Sequence, residues 1–225
     1  MIPLLDRSRP LLCFIHDARS DEAPERLWAV DDDAWARIDV LQVRGKTLRA
    51  GELESLTRAW IARLAGLPTR IVVNDRLDVA LASGAHGVHL GQEDLPIDVA
   101  RSLAPPGFLI GGSTHDRAEL LAAQAAGADY AGLGAFFGTG TKAGAQRLDP
   151  SLAGVAASIP DLEIPVLAIG GITPGQVVET LRMPAVTGIA VSAAIQEAPD
   201  PRDAIRDFRR ALQRAWDTAR EPIAP

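Results

Sequence analysis

One cysteine, no membrane-length apolar run and a shortage of basic residues set the first limits on this chain of 225 residues. With Cys13 alone, no internal disulfide can form, and the composition favours a reducing compartment. Cys13 lies inside the apolar run LLCFIHD, which suits a buried, inert thiol better than a nucleophile. A helical membrane span needs about 20 predominantly apolar residues, and the sequence holds no such stretch. Asp6, Arg7 and Arg9 interrupt the apolar runs near the N-terminus, and no cleavage-like site follows, so a cytoplasmic protein is expected. Lys and Arg total 23 against 29 Asp and Glu, a formal net charge of −6. That balance argues against a nucleic-acid partner held by broad phosphate neutralisation. A small anionic ligand remains open, because a few local Arg and Lys suffice for one.

What the chain does have is apolar residues, 47% of the total, arranged in an alternation. Strand-like runs occur at 11–17, 40–44, 70–74, 87–91, 108–113, 130–137, 165–171 and 188–193. Helical patterns such as RAGELESLTRAWIARLAG, RLDVALASG, RAELLAAQAAGA and PRDAIRDFRRALQRAWDTAR separate or follow them. Several of these patterns end in Gly, as helix C-caps do. Eight strands, each followed by a helical segment, predict a single (β/α)8 TIM barrel covering 1–225. The first connection is the most irregular, and the tail at about 221–225 is expected to fray.

In such barrels the working groups come from the C-terminal strand ends and the loops after them. Read in order, those ends supply His16–Asp17, then Gln42, Arg44 and Lys46, then Asn74–Asp75. His89 follows with Gln92–Glu93–Asp94, then Ser113–Thr114, the loop FFGTGTKAGAQ, Gly170–Gly171 and Val191–Ser192. Adjacent strands lie about 4.8 Å apart, so Asp75 and Asp94 can reach one cation. Two carboxylates with waters and substrate oxygens are a usual setting for Mg²⁺. Alternatively Asp75 caps a helix starting near Arg76, which leaves the GQED segment without a role. Arg44, Lys46 and Lys142 suit phosphate oxygens, and the Gly/Thr-rich loop around Lys142 offers close backbone N–H groups. It is not a P-loop, because the G-x-x-x-x-G-K-[ST] spacing is missing.

A second anion site is suggested at IGGITPG and IAVSAAI, where barrels often bind phosphate. Simple capping by Thr173–Pro174 and Ser192 accounts for the same residues. His89 alternates with Val88 and Leu90, so it faces away from them, toward a lining role. His115 after GGST is either functional or a polar first-turn residue. No nucleophile with its base is evident, and the inventory points to metal-assisted phosphate handling.

These segments resemble the thiamine phosphate synthase family. LQVRGK is similar to that family's Q-x-R-x-K motif, and VNDRLDVALASGAHGVHLGQEDLP matches its longest signature almost throughout. LIGGSTH, GADYAGLGAFFGTGTKAGA, AIGGI and VSAAI follow in the family's order, so the resemblance covers about residues 11–195. It implies a (β/α)8 barrel that joins 4-amino-2-methyl-5-pyrimidinylmethyl diphosphate to 4-methyl-5-(2-phosphooxyethyl)thiazole. It also implies Mg²⁺ on Asp75 and Asp94, and diphosphate on Arg44, Lys46, Asn74, Ser113 and Lys142. Gln42 and His89 would line the pyrimidine, while Thr139, Thr141, Gly171, Val191 and Ser192 would meet the thiazole phosphate. Lys142, Arg44, Lys46 and Ser113 would be the catalytic set, and a homo-oligomer is compatible.

Two positions depart from the family pattern. Gly45 stands where an acidic residue is usual, removing a partner for the basic cluster, and Gly138 stands where Pro is usual. Three rival readings remain at this level: a thiazole tautomerase using His115 or a neighbour as proton shuttle, a non-catalytic barrel that binds thiamine precursors, and an unrelated phosphate-binding isomerase.

Overall fold

The computed structural model describes residues 5, 8–19, 25–137, 159 and 161–220. Gly138, Thr139, Thr141, Lys142 and the 221–225 tail lie outside the described residues. The eight apolar runs form parallel strands: β1 (Leu11–Asp17), β2 (Val40–Arg44), β3 (Arg70–Asn74), β4 (Gly87–Leu90), β5 (Leu109–Thr114), β6 (Tyr130–Gly134), β7 (Val166–Ile169) and β8 (Val186–Val191). They hydrogen-bond in sequence order, and β8 returns to β1 to close the barrel.

Strand alternation divides the side chains between two layers. Leu11, Cys13, Ile15, Val40, Val72, Leu109, Tyr130, Leu167 and Ala190 face inward and pack together. Their neighbours Leu12, Phe14, Leu41, Val43, Ile71, Val73 and Val88 face outward into the layer beneath the helices. Both faces are therefore apolar, as the continuous runs require. Cys13 is 1% exposed, and burial pushes its thiol pKa well up, so the inert reading of this residue holds.

The covering helices are α1 (Glu25–Trp28), α2 (Asp32–Trp35), α3 (Ala50–Arg63), α4 (Leu77–Ser83), α5 (Ile97–Leu103) and α6 (Arg117–Ala125). A 3₁₀ turn over Pro174–Gln176 leads into α7 (Val177–Leu181), and α8 (Ala193–Gln196) and α9 (Pro201–Arg220) follow β8. Local chemistry marks their ends. The Asp31 and Asp116 side chains accept from the N–H groups of Ala34 and Glu119, each at 2.8 Å, and Gly84 ends α4 in the left-handed region at φ 76°. On α9, Ile205, Phe208 and Leu212 recur at helical spacing and are all fully buried. No helix among the described residues is long and apolar enough to cross a membrane.

Two polar ties join the last helices to the first strands. Asp39 accepts from the Leu12 N–H at 2.8 Å and from Arg209 at 2.6 Å, which anchors α9 beneath β1 and β2. Gln196 on α8 donates to the Asp17 carbonyl and accepts from the Asp17 N–H, both at 3.0 Å. Outside β1, Trp28, Trp35 and Trp60 cluster with His16, and Trp60 Nε1 donates to His16 Nδ1 at 3.0 Å.

Candidate functional site

The C-terminal strand ends open into a cavity of about 780 Å³. Gln42, Arg44, Lys46, Asn74, Asp75, His89, Asp94 and Ser113 all line it, so the structure brings these eight sequence-chosen residues to one place. Each projects from an inward-facing strand position or the loop that follows. Gly171, Val191 and Ser192 do not line it; Gly170 and Ala190 do. Val191 turns its side chain into the outer apolar layer, so any contact it makes with a ligand runs through its backbone. Ser192 occupies the N-cap position of α8 without a side-chain capping bond, whereas Thr173 and Gln176 bond across the 3₁₀ turn at 2.9 Å.

Asp75 does not cap α4, contrary to one reading of the sequence. The helix starts at Leu77, its N-cap position is Arg76, and no side chain caps it. Asp75 instead takes φ 64°, and it is the one non-glycine residue at positive φ among those described. A non-glycine residue in the left-handed region carries some backbone strain, and the Asp75 carboxyl interacts with that of Asp94. The two carboxyls share a hydrogen bond, and the Asp75 pKa rises to about 6. Burial raises it most, Asp94 adds to the rise through that bond and its charge, and Lys46 and Arg44 oppose it. Asp94 is fixed from behind, accepting the Gly91 N–H at 2.6 Å.

The basic side is held too. Arg44 pairs with Asp17 at the end of β1, a partner that sequence reasoning missed. Asp17 thus provides from a neighbouring strand the carboxylate that Gly45 does not. At Gly45 itself a Cβ would come 2.7 Å from Leu48 Cδ1, so a side chain there requires Leu48 to move. Gln42 donates to Asn74 Oδ1 at 2.6 Å, tying the ends of β2 and β3, and Gln92 donates to the Ser113 carbonyl at 2.5 Å. His115 at the mouth is exposed, lines the cavity and bonds through Nδ1 to Glu119 at 2.9 Å; it precedes Asp116, the N-cap of α6, and so is not the first-turn residue that the sequence suggested.

His89 lies deeper and is 7% exposed. Its Nδ1 is 3.2 Å from the Tyr130 hydroxyl and its Nε2 is 3.0 Å from Ser113 Oγ. Burial lowers its pKa to about 4, only partly offset by Asp94, so the ring is neutral near pH 7. His16 is lowered to about 4 in the same way. Tyr130 also escaped the sequence reading, although its alternation with Gly132 and Gly134 points it inward.

These groups give the fold a defined acid sensitivity. Unfolded imidazoles titrate near 6.5, so between about pH 4 and 6.5 the unfolded chain binds two protons at His16 and His89 that the folded chain refuses. Asp75 acts oppositely, because its folded carboxyl keeps a proton up to about pH 6 that the unfolded one has lost above 3.8. Two minus one leaves one proton, and His86, which burial also holds below the usual imidazole range, adds to the same side, so stability should be full above pH 6.5 and fall by at least about 1.4 kcal/mol per pH unit from pH 6 toward 4. Urea titrations at pH 6, 5 and 4 without added metal check this, and a flat profile would contradict it.

The thiamine monophosphate synthase family profile matches residues 12–195. The chain belongs to the thiamine monophosphate synthase family. Among similar members, the thiamine-phosphate synthase of Chlorobium phaeovibrioides is 40% identical over 210 residues, covering 92% of this chain and 96% of that one. The thiamine-phosphate synthase of Methanospirillum hungatei is 42% identical over 171 residues, 75% of this chain and 81% of its own. The solved thiamine phosphate pyrophosphorylase from Pyrococcus furiosus superimposes with a TM-score of 0.78 at 32% identity, covering 93% of this chain and 98% of that one. Among the described residues no group of three or more His, Cys, Asp or Glu stands ready to hold a metal.

Proposed function

We propose that this protein is a thiamine phosphate synthase. It joins 4-amino-2-methyl-5-pyrimidinylmethyl diphosphate to 4-methyl-5-(2-phosphooxyethyl)thiazole, giving thiamine phosphate and diphosphate. The observation that carries this reading is the juxtaposition of Asp75 and Asp94 with Arg44 and Lys46 in one cavity lining, in a chain of this family.

Two carboxyls brought together at a cavity wall offer oxygen ligands that a cation between them would satisfy. Two carboxylates suit Mg²⁺, which retains waters and takes substrate phosphate oxygens. When bound, Mg²⁺ supplies charge neutralisation at the departing diphosphate. Arg44, Lys46, Asn74 and Ser113 bind the diphosphate oxygens, with Arg44 exchanging its Asp17 contact for them. Gln42 and His89 orient the pyrimidine against the barrel floor. By the sequence resemblance, Lys142 joins the diphosphate set and Thr139 and Thr141 the thiazole phosphate, with Gly171, Val191 and Ser192 contributing backbone N–H groups.

The C–O bond to diphosphate breaks with its electron pair leaving on oxygen, and the aminopyrimidine disperses the positive charge on the methylene carbon. The thiazole nitrogen lone pair then forms the C–N bond. That nitrogen carries no proton, so the chemistry needs no general base. Positioning the two substrates can supply roughly 7–11 kcal/mol at best, and each preorganised donor about 3–4 kcal/mol.

The test mixes both phosphorylated substrates with the protein, with and without Mg²⁺, and follows thiamine phosphate and diphosphate. Both products should appear, and only with the metal. Tight substrate binding without diphosphate release would favour a sensor, and thiazole isomerisation without coupling would favour a tautomerase; either overturns the proposal.

A further inference from the structure

Beneath the carboxyl pair, three side chains from adjacent strands form a line. Tyr130, the one tyrosine in the sequence, is 1% exposed, and its hydroxyl meets His89 Nδ1 at 3.2 Å. His89 Nε2 meets Ser113 Oγ at 3.0 Å, and Ser113 lines the cavity. The space for this meeting is made by Gly111 on β5. A Cβ there would stand 2.3 Å from Tyr130 Cζ and 2.5 Å from His89 Nδ1, closer than any carbon can approach.

We infer that Tyr130 is a positioning residue that holds His89 in the Nε2–H tautomer, so that His89 donates to Ser113 Oγ and leaves the Ser113 hydroxyl proton free for an anionic oxygen in the cavity. Among the described residues, His89 Nδ1 is the one hydrogen-bond partner of the Tyr130 hydroxyl. A buried O–H that finds no acceptor carries the full penalty of desolvation. Donation from Tyr130 therefore requires a bare Nδ1, and a neutral imidazole with a bare Nδ1 bears its proton on Nε2. The opposite tautomer strands the phenol proton and turns the serine proton inward to Nε2, away from the cavity. The order that satisfies every group runs from Tyr130 O–H to Nδ1, from Nε2–H to Oγ, and from Oγ–H to the ligand. No proton changes hands; the line sets the direction in which Ser113 donates.

The inference rests on the proposed function only for the identity of the anion, which is the diphosphate of the pyrimidine substrate. Its test therefore reads the tautomer directly and uses inorganic diphosphate as the probe. In the full-length protein labelled with ¹⁵N at histidine, the ring-nitrogen shifts of His89 should report a protonated Nε2 and a bare Nδ1. Tyr130→Phe keeps the ring but removes the donor, and His89 should become a mixture of tautomers. Diphosphate binding with Mg²⁺, measured by calorimetry, should weaken about 3–10-fold in Tyr130→Phe, the range of a coupled contact. Ser113→Ala should weaken it comparably, and Tyr130→Phe should add nothing in the Ser113→Ala background. A proton on Nδ1 in the parent protein overturns the inference, as does an unchanged tautomer in Tyr130→Phe. A tautomer change without any loss of diphosphate affinity overturns the link to Ser113. Failure to form thiamine phosphate would overturn the proposed function and leave the ring-nitrogen result standing.

Discussion

Replacing Asp75 with Asn is expected to lower thiamine phosphate formation by about 10²–10³-fold at saturating Mg²⁺, the scale of one lost preorganised electrostatic contact. The same change should raise the stability of the metal-free protein above pH 7. The Asp75 carboxylate is held there against its burial first and the neighbouring Asp94 second, since its pKa sits at about 6 instead of 3.8. A shift of that size corresponds to about 3 kcal/mol for a fully buried group. Asp75 is partly open to the cavity, and solvent screening reduces the expected gain to about 1 kcal/mol. Asn can donate to the Asp94 carboxylate, and it accepts the left-handed conformation at φ 64° more readily than most residues. Stability and turnover should therefore move in opposite directions. Parental activity and metal dependence in the variant would remove Asp75 from the ligand set. A loss of stability at pH 8 would show that the buried Asp75 charge does not weaken the fold.

Trp60→Ala should destabilise the fold by about 3–5 kcal/mol, the usual cost of emptying a large aromatic site. Trp60 is fully buried, and its ring centre lies 4.3 Å from that of Trp28, 5.2 Å from Trp35 and 5.4 Å from His16. Its removal opens a hole between α3 and β1 and also strands His16 Nδ1, which now accepts the indole N–H. Trp60→Phe separates the two effects, because it restores most of the volume while leaving the acceptor unpaired, at about 1–3 kcal/mol. Denaturant titration of both variants measures the difference. Trp60 faces the outer layer, so kcat for the folded fraction should stay near the parent value. A loss below 1 kcal/mol in Trp60→Ala would mean that this corner collapses freely around the gap.

The barrel was legible because its strands are apolar on both faces and punctuated by helix signals; β1, β2 and β3 fall where the runs 11–17, 40–44 and 70–74 place them. The cavity wall was legible as well, since a parallel barrel brings every strand's C-terminal end to one rim. Pairings across the rim were not. Asp17 reads as the polar end of a strand, and only closure of β1 against β2 sets its carboxylate on Arg44. Gln196 reads as a helix residue, yet α8 carries it to the Asp17 backbone. A cap was the alternative that the sequence offered for Asp75, because Asp before a helix usually is one; its left-handed backbone is a tertiary result that local propensity does not encode. Tyr130 was hidden by the surrounding apolar run, though period-two phasing with Gly132 and Gly134 was available.

The ties between α8 and β1, and between α9 and Asp39, also bear on how the chain is made. Gln196 and Asp17 are 179 positions apart, and β1 finds one of its two neighbours only in β8. During synthesis at about 5–20 residues per second, β1 emerges before the other strands and exposes an open edge until β8 has followed. For most of that interval the nascent chain is an incomplete sheet with unpaired backbone groups at both margins. Ring closure is then a late event, and a ribosome stalled before β8 would hold a sheet that cannot protect its own first strand.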